Sequence, residues 1–233
     1  MFAPAGEILS GLFDGRNDGV QAKICGIKTI AAAKAAAAGG AGFIGFIFWT
    51  KSHRFVAPEI AAQIARAVTG VRKVGVFVDE EPARVNAIAE AVGLDLVQLH
   101  GTEDAAYAKK IERPIIKAYR YDADFDARAA ADFPAAYVIL DSGTAKMPGG
   151  TGRNFAWREA ARTLATVPEL RQRLLIAGGV ARENLRELHE IFHPFGVDVS
   201  GSLETNKEKD IEKIHDFLQE LRVLNAETGE KIA

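Results

Sequence analysis

Eight short apolar runs alternate with stretches of helical character, and this alternation limits what the chain can fold into more than any other feature. The runs fall at residues 22–25, 43–48, 74–78, 94–99, 115–118, 137–140, 174–177 and 196–199. Most are rich in Val, Ile, Leu and Phe without strict polar alternation, as parallel strands buried on both faces require. Between them, 29–38 is dominated by alanine, the best helix former. Segments 57–68 and 81–92 open with Pro58 and Pro82 in the first turn. They repeat apolar residues on one face, Ile60 with Ile64 and Ala67, then Val85 with Ile88 and Val92. Segments 182–192 and 209–224 carry amphipathic stripes, and 102–111, 125–131 and 156–164 complete the series. The expected fold class is α/β, a single (β/α)8 TIM barrel with parallel strands. A doubly wound open sheet is the alternative. It would ordinarily show a glycine-rich phosphate turn after its first strand, where this chain reads Cys25-Gly-Ile-Lys-Thr29.

A length of 233 residues allows either two small domains or one large barrel. The alternation favours an N-terminal extension over 1–20, a barrel over 21–224 and a frayed polar tail over 225–233. With 29 basic and 31 acidic side chains the formal charge is −2, so no overall field recruits nucleic acid or an anionic membrane. The longest uncharged stretch, 35–50, is broken by Gly39, Gly40, Gly42 and Gly45 and falls short of the roughly 20 residues that span a bilayer. The lone cysteine, Cys25, makes no intrachain disulfide, and a structural zinc site wants four clustered ligands. The expectation is a cytoplasmic protein without metal or other cofactor, acting on a small molecule as a monomer or homodimer.

In such a barrel, chemistry collects where strands end and the following loops begin. Cys25 ends the first run. A buried free cysteine is ordinarily a small apolar core residue, whereas a strand-end position beside Gly26 suits a thiolate base or nucleophile. Alternation leaves open whether Lys23 or Lys28 faces it. Asp141 directly follows an apolar strand, at the edge of a low-dielectric interior that raises a carboxyl pKa and suits a general acid; a helix-capping role is the plain alternative. The loop over 142–152 carries four glycines, more than a connector needs. Gly178-Gly179 after the seventh run and Ser200-Gly201-Ser202 after the eighth occupy the two loops where barrels commonly bind phosphate. Arg54, between Trp49 and Phe55, suits a substrate carboxylate. His53 and His100 lack metal-ligand spacing and read as structural.

Together these residues resemble the phosphoribosylanthranilate isomerase family. The resemblance runs through Lys23-Ile-Cys-Gly-Ile27, Gly45-Phe-Ile-Phe-Trp-Thr-Lys-Ser-His-Arg-Phe-Val56, Val74-Gly-Val-Phe-Val-Asp79 and Val97-Gln-Leu-His-Gly101. It continues through Leu140-Asp-Ser142, Gly149-Gly-Thr-Gly152, Ala177-Gly-Gly179 and Val197-Asp-Val-Ser200. It implies an Amadori rearrangement of N-(5-phosphoribosyl)anthranilate in tryptophan biosynthesis, with Asp141 as general acid and Cys25 as general base. It further implies substrate contacts from Arg54, Gly179, Asp198, Ser200, Gly201 and Ser202, and no cofactor. Where the family usually has Ser-Ser-Gly-Val-Glu, this chain has Ser200-Gly-Ser-Leu-Glu204. Two other readings compete. A histidine-pathway isomerase would want aspartate in place of Cys25, and a pentose-phosphate epimerase would want metal-binding His and Asp at strand ends. A non-catalytic phosphate binder would have no use for both Cys25 and Asp141.

Overall fold

The computed structural model describes residues 19–141 and 152–229. Each expected apolar run becomes a parallel strand: β1 (Gln21–Cys25), β2 (Phe43–Ile47), β3 (Arg72–Phe77), β4 (Leu96–Leu99), β5 (Ile115–Arg120), β6 (Tyr137–Asp141), β7 (Leu174–Ala177) and β8 (Gly196–Val199). They pair in sequence order and close, because β1 pairs with β8 through Lys23 beside Asp198 and Ile24 beside Val199. The open sheet is thereby excluded.

The lack of polar alternation has a direct cause. In β6 and β7, Ile139, Leu175 and Ala177 fill the barrel interior, while Val138, Leu140, Leu174 and Ile176 pack outward against the helices. Both faces are dry, so both are apolar. Aromatic rings plug the bottom of the barrel. Phe43 meets Tyr137 edge-on at 5.7 Å, and Tyr137 stacks on Phe195 at 5.0 Å.

The outer layer comprises α1 (Ile30–Ala38), α2 (Pro58–Arg66), α3 (Pro82–Val92), α4 (Ala105–Ala108), α5 (Ala127–Asp132), α6 (Gly152–Leu164), α7 (Leu185–Phe192) and α8 (Ile211–Gly229). Thr29 caps α1 by accepting from the Ala32 N–H, and Gly93 ends α3 in the left-handed region at φ 74°. None of the helices among the described residues is long and apolar enough to cross a membrane.

Four local expectations need correction. The helix expected over 102–111 shrinks to α4. Asp104 caps it by accepting from the Tyr107 N–H, and Glu103 lies upstream, held by hydrogen bonds to the strand-end loops. The tail expected to fray from residue 225 instead continues α8 to Gly229. Asn225 ties that helix to the start of β1, its side chain accepting from the Val20 N–H at 2.9 Å and donating to the Val20 carbonyl at 3.1 Å. Gly19 and Val20, assigned to the extension, therefore join the barrel; residues 1–18 lie outside the described residues. Finally, a short hairpin of β9 (Glu204–Thr205) and β10 (Glu208–Lys209) lies between β8 and α8, where no strand was expected. It bears on the site.

Candidate active site

Strand alternation decides which side chains reach the barrel mouth. Lys23 and Cys25 share the inward face of β1, so the question left open by the sequence resolves for Lys23. Its ammonium is sealed from solvent and donates to Asp198 Oδ1 of β8 at 2.9 Å. Burial pushes the Cys25 thiol up and Asp198 adds to this, while Lys23 and Lys209 pull it down; the net direction is upward. Lys28 instead points to Glu208 at 2.6 Å, away from the thiol.

Asp141 ends β6, two residues beyond the inward Ile139, and is half-buried. His100 stands after β4, two strands away around the barrel. Burial lowers its pKa, and the carboxylates of Asp198 and Asp141 oppose that shift. Gln98 Nε2 approaches His100 Nδ1 at 2.9 Å, which favours the tautomer with its proton on Nε2. Strand order places β7 and β8 between β6 and β1. The two candidate phosphate loops thus lie on the arc that separates Asp141 from Cys25.

Those loops are tied to each other and to β1. Gly178 and Gly179 both adopt left-handed backbone, at φ 78° and 74°, a shape that favours glycine. Asn184 staples their turn, donating to the Gly179 carbonyl at 2.8 Å and accepting from the Ala181 N–H at 2.9 Å. Ser202 donates its hydroxyl to the Val180 carbonyl at 2.7 Å, and Ser200 donates to the Cys25 carbonyl at 3.0 Å. The two serine hydroxyls therefore fasten the loops.

Arg54 reaches this arc from the loop after β2. Its chain crosses Gly26, where an added Cβ would stand 2.7 Å from Arg54 Cδ, so only a glycine with φ 81° lets it lie beside the end of β1. Its guanidinium grips Glu204 of β9 by Nε at 2.5 Å and by the second nitrogen at 2.9 Å. Lys209 of β10 donates to the same carboxylate at 2.7 Å. One edge of Arg54 is thus fixed by the protein, which orients the remaining donors. Partial burial pushes the Glu204 carboxyl up, but Arg54 and Lys209 outweigh it and hold it at about 2. A depressed carboxylate pKa stabilises the fold fully above its ordinary range and loses that contribution as pH falls toward the folded value. Glu204→Gln should accordingly be less stable at neutral pH. It should also show a flatter decline in stability between pH 4.5 and about 2 than the parent, read by denaturant unfolding at stepped pH.

The description N-(5′-phosphoribosyl)anthranilate (PRA) isomerase belongs to the sequence family whose profile matches residues 22–220. The chain belongs to this family. An N-(5′-phosphoribosyl)anthranilate isomerase of Listeria monocytogenes is 39% identical over 198 residues, covering 84% of this chain and 96% of that protein. The crystal structure of phosphoribosylanthranilate isomerase from Thermotoga maritima aligns with a TM-score of 0.76 at 34% identity, covering 88% of this chain and 99% of that one. A further PRA isomerase structure, in complex with reduced 1-(o-carboxyphenylamino)-1-deoxyribulose 5-phosphate, gives 0.72 at 31% identity over 88% and 99% of the two chains.

Within this chain, the structure brings Cys25, Asp141, Arg54, Gly179, Asp198, Ser200, Gly201 and Ser202 to one end of the barrel. The glycine-rich loop over 142–151 lies outside the described residues. Lys23, Glu204 and Lys209 went without an assigned role in the sequence. For Lys23 a signal existed: a lysine inside an apolar strand must find a buried counter-charge, and Asp198 lies inside another such run. For Glu204 and Lys209 the local signal is slight: Asn206, which tolerates left-handed backbone, opens the two-residue turn of the hairpin that unites them, at φ 52° with Lys207 at 65°.

Proposed function

We propose that this chain converts N-(5′-phosphoribosyl)anthranilate to 1-(2-carboxyphenylamino)-1-deoxyribulose 5-phosphate by general acid–base catalysis in tryptophan biosynthesis. The observation that carries the reading is the order around the mouth: a carboxyl on β6, two glycine-bearing loops on β7 and β8, a thiol on β1 and an arginine after β2. A phosphate on the middle loops leaves a ribose between acid and base, and directs the anthranilate carboxylate toward Arg54.

In this reading the Asp141 carboxyl gives its proton to the ribose ring oxygen. The C1′–O bond breaks as the anilinic nitrogen lone pair forms the C1′=N bond of a Schiff base. The Cys25 thiolate then removes the C2′ proton, and the released electron pair forms the C1′=C2′ bond of an enolamine while nitrogen regains its lone pair. Tautomerisation carries a proton to C1′ and leaves the ketone at C2′. Acid and base suffice for each step, so the substrate is the one small phosphorylated partner the reaction needs and no cofactor enters. The Gly179 and Gly201–Ser202 backbone N–H groups bind the phosphate, with Ser200 and Asp198 completing that side of the site.

The direct test is fluorescence. Emission of the anthranilate-type substrate should fall when the purified chain is added, and steady emission at high enzyme concentration would overturn the assignment. A second expectation concerns Arg54. Arg54→Lys keeps a positive charge but loses the planar fork. The KM should rise about ten- to a hundredfold, the range for losing a charge-assisted hydrogen bond, with a smaller fall in kcat. Steady-state kinetics separates the two constants.

A further inference from the structure

Cys25 occupies an unfavourable place for a thiolate. It is 6% exposed and backed by an apolar barrel, and the nearby Asp198 carboxylate repels negative charge. One feature of the interior opposes both effects. Lys23 lies two residues earlier on the same inward face and is 0% exposed, and it is anchored by Asp198 at 2.9 Å. An ammonium has three donors, and Asp198 takes one at that distance.

The neighbouring strand makes room for the ammonium and the thiol to approach. A Cβ added at Gly45 of β2 would stand 2.9 Å from Cys25 Sγ and 3.3 Å from Lys23 Nζ. Sulfur and nitrogen therefore close around one space that any side chain on β2 would fill. Burial pushes the Lys23 ammonium down, and Asp198 and Cys25 more than offset it, so the cation persists through the whole neutral range. The charged groups around the thiol are few: Lys23 from β1, Asp198 from β8, Lys209 from β10, and Arg54 with its partner Glu204 over the adjoining Gly26. Gly45 contributes none from β2.

We propose that Lys23 is a positioning residue for Cys25: a permanent, solvent-free cation, clamped by Asp198 and admitted by Gly45, that stabilises the thiolate the proton transfer requires. Lys23 acts through the thiol and not on the substrate. The inference rests on Cys25 as the general base. It assigns Asp198 a role besides any substrate contact: it fixes the ammonium, yet its own charge raises the energy of the thiolate. The two neighbours therefore pull the thiol in opposite directions.

That opposition gives the test. Cys25 is the single cysteine of the chain, so the ultraviolet absorbance of thiolate, read as the difference from a Cys25→Ser control that cancels the four tyrosines, reports its ionisation alone. Lys23→Met should raise the ionisation midpoint by at least one pH unit, a tenfold loss of thiolate at fixed pH. The rising limb of kcat/KM against pH should move upward by the same amount, with KM little changed. Asp198→Asn should move the midpoint the other way, downward. A merely loosened barrel admits water and lowers the midpoint in both variants. An unchanged or lowered midpoint in Lys23→Met, or an unchanged or raised one in Asp198→Asn, overturns the proposal; should Lys23→Met not fold, Lys23→Gln supplies the same upward test, because a lowered midpoint in Asp198→Asn by itself is also what loosening gives. Normal turnover by Cys25→Ser would instead remove the thiolate from catalysis, and these absorbance shifts would remain measurable, so the two failures are separate.

Discussion

Asp141→Asn should lower kcat by about 10²–10⁴-fold, the usual contribution of a positioned general acid, and Cys25→Ser should lose a similar factor as general base. The amide of asparagine keeps the shape of the carboxyl but has no acidic proton to give, so ring opening stalls. A serine hydroxyl keeps nearly the volume of the thiol but ionises far less readily, so C2′ deprotonation stalls. Neither change opens a cavity, since Asp141 is half-buried at a strand end and Cys25 is among the smaller interior side chains. Far-ultraviolet circular dichroism should match the parent while turnover collapses. The double variant should lose much less than the product of the two factors, because both act on successive steps of one sequence and the slower step governs. Turnover within a few-fold of the parent in either single variant would remove that group from the mechanism. The pH profile carries a related expectation. With burial holding the Cys25 thiol above its ordinary range, kcat/KM should climb from neutral into alkaline pH as thiolate forms.

The largest expected stability effect lies outside the mouth, in the loops behind it. Lys117 of β5 and Glu103, which precedes α4, form an ion pair at 2.8 Å with side chains 4% and 1% exposed. Glu103 also accepts from the Asp79 N–H at 2.9 Å and the Gly101 N–H at 2.9 Å, while Lys117 donates to the Gly101 carbonyl at 2.7 Å. One carboxylate thus fastens the loops after β3 and β4, next to His100, and one ammonium neutralises it. Lys117→Met leaves that charge buried and unpaired, at a cost of about 3–5 kcal/mol. The denaturant midpoint should fall accordingly with an unchanged slope. Replacing both partners, Lys117→Met with Glu103→Gln, should recover part of the loss, because the desolvated charge disappears with its partner. A single variant as stable as the parent would show that water reaches this pair.

Much of the architecture is legible in the chain. Strands buried on both faces must be apolar almost throughout, so β6 over Tyr137–Asp141 and β7 over Leu174–Ala177 stand out without any alignment. Pro58 and Pro82 mark helix starts because a first-turn proline has no N–H to leave unsatisfied. The strand-end rule then singles out Cys25 and Asp141 before any geometry is known. The same reasoning fails at the end of α8, where polar composition suggests fraying. There a single asparagine, Asn225, bonds both backbone groups of Val20 and holds the helix.

The class of fold, the order of its elements and the strand ends from which chemistry is offered therefore follow from the chain alone, because local periodicity and the burial of both sheet faces dictate them. The electrostatic partners emerge only in the closed barrel. Lys23 meets Asp198 across 175 positions of chain, and Arg54 meets Glu204 across 150. Closure of β1 against β8 brings the first pair together, and the unforeseen hairpin after β8 brings the second. A buried charge requires a counter-charge, but that requirement is indifferent to where in the chain the counter-charge stands, so it becomes specific only when the barrel shuts.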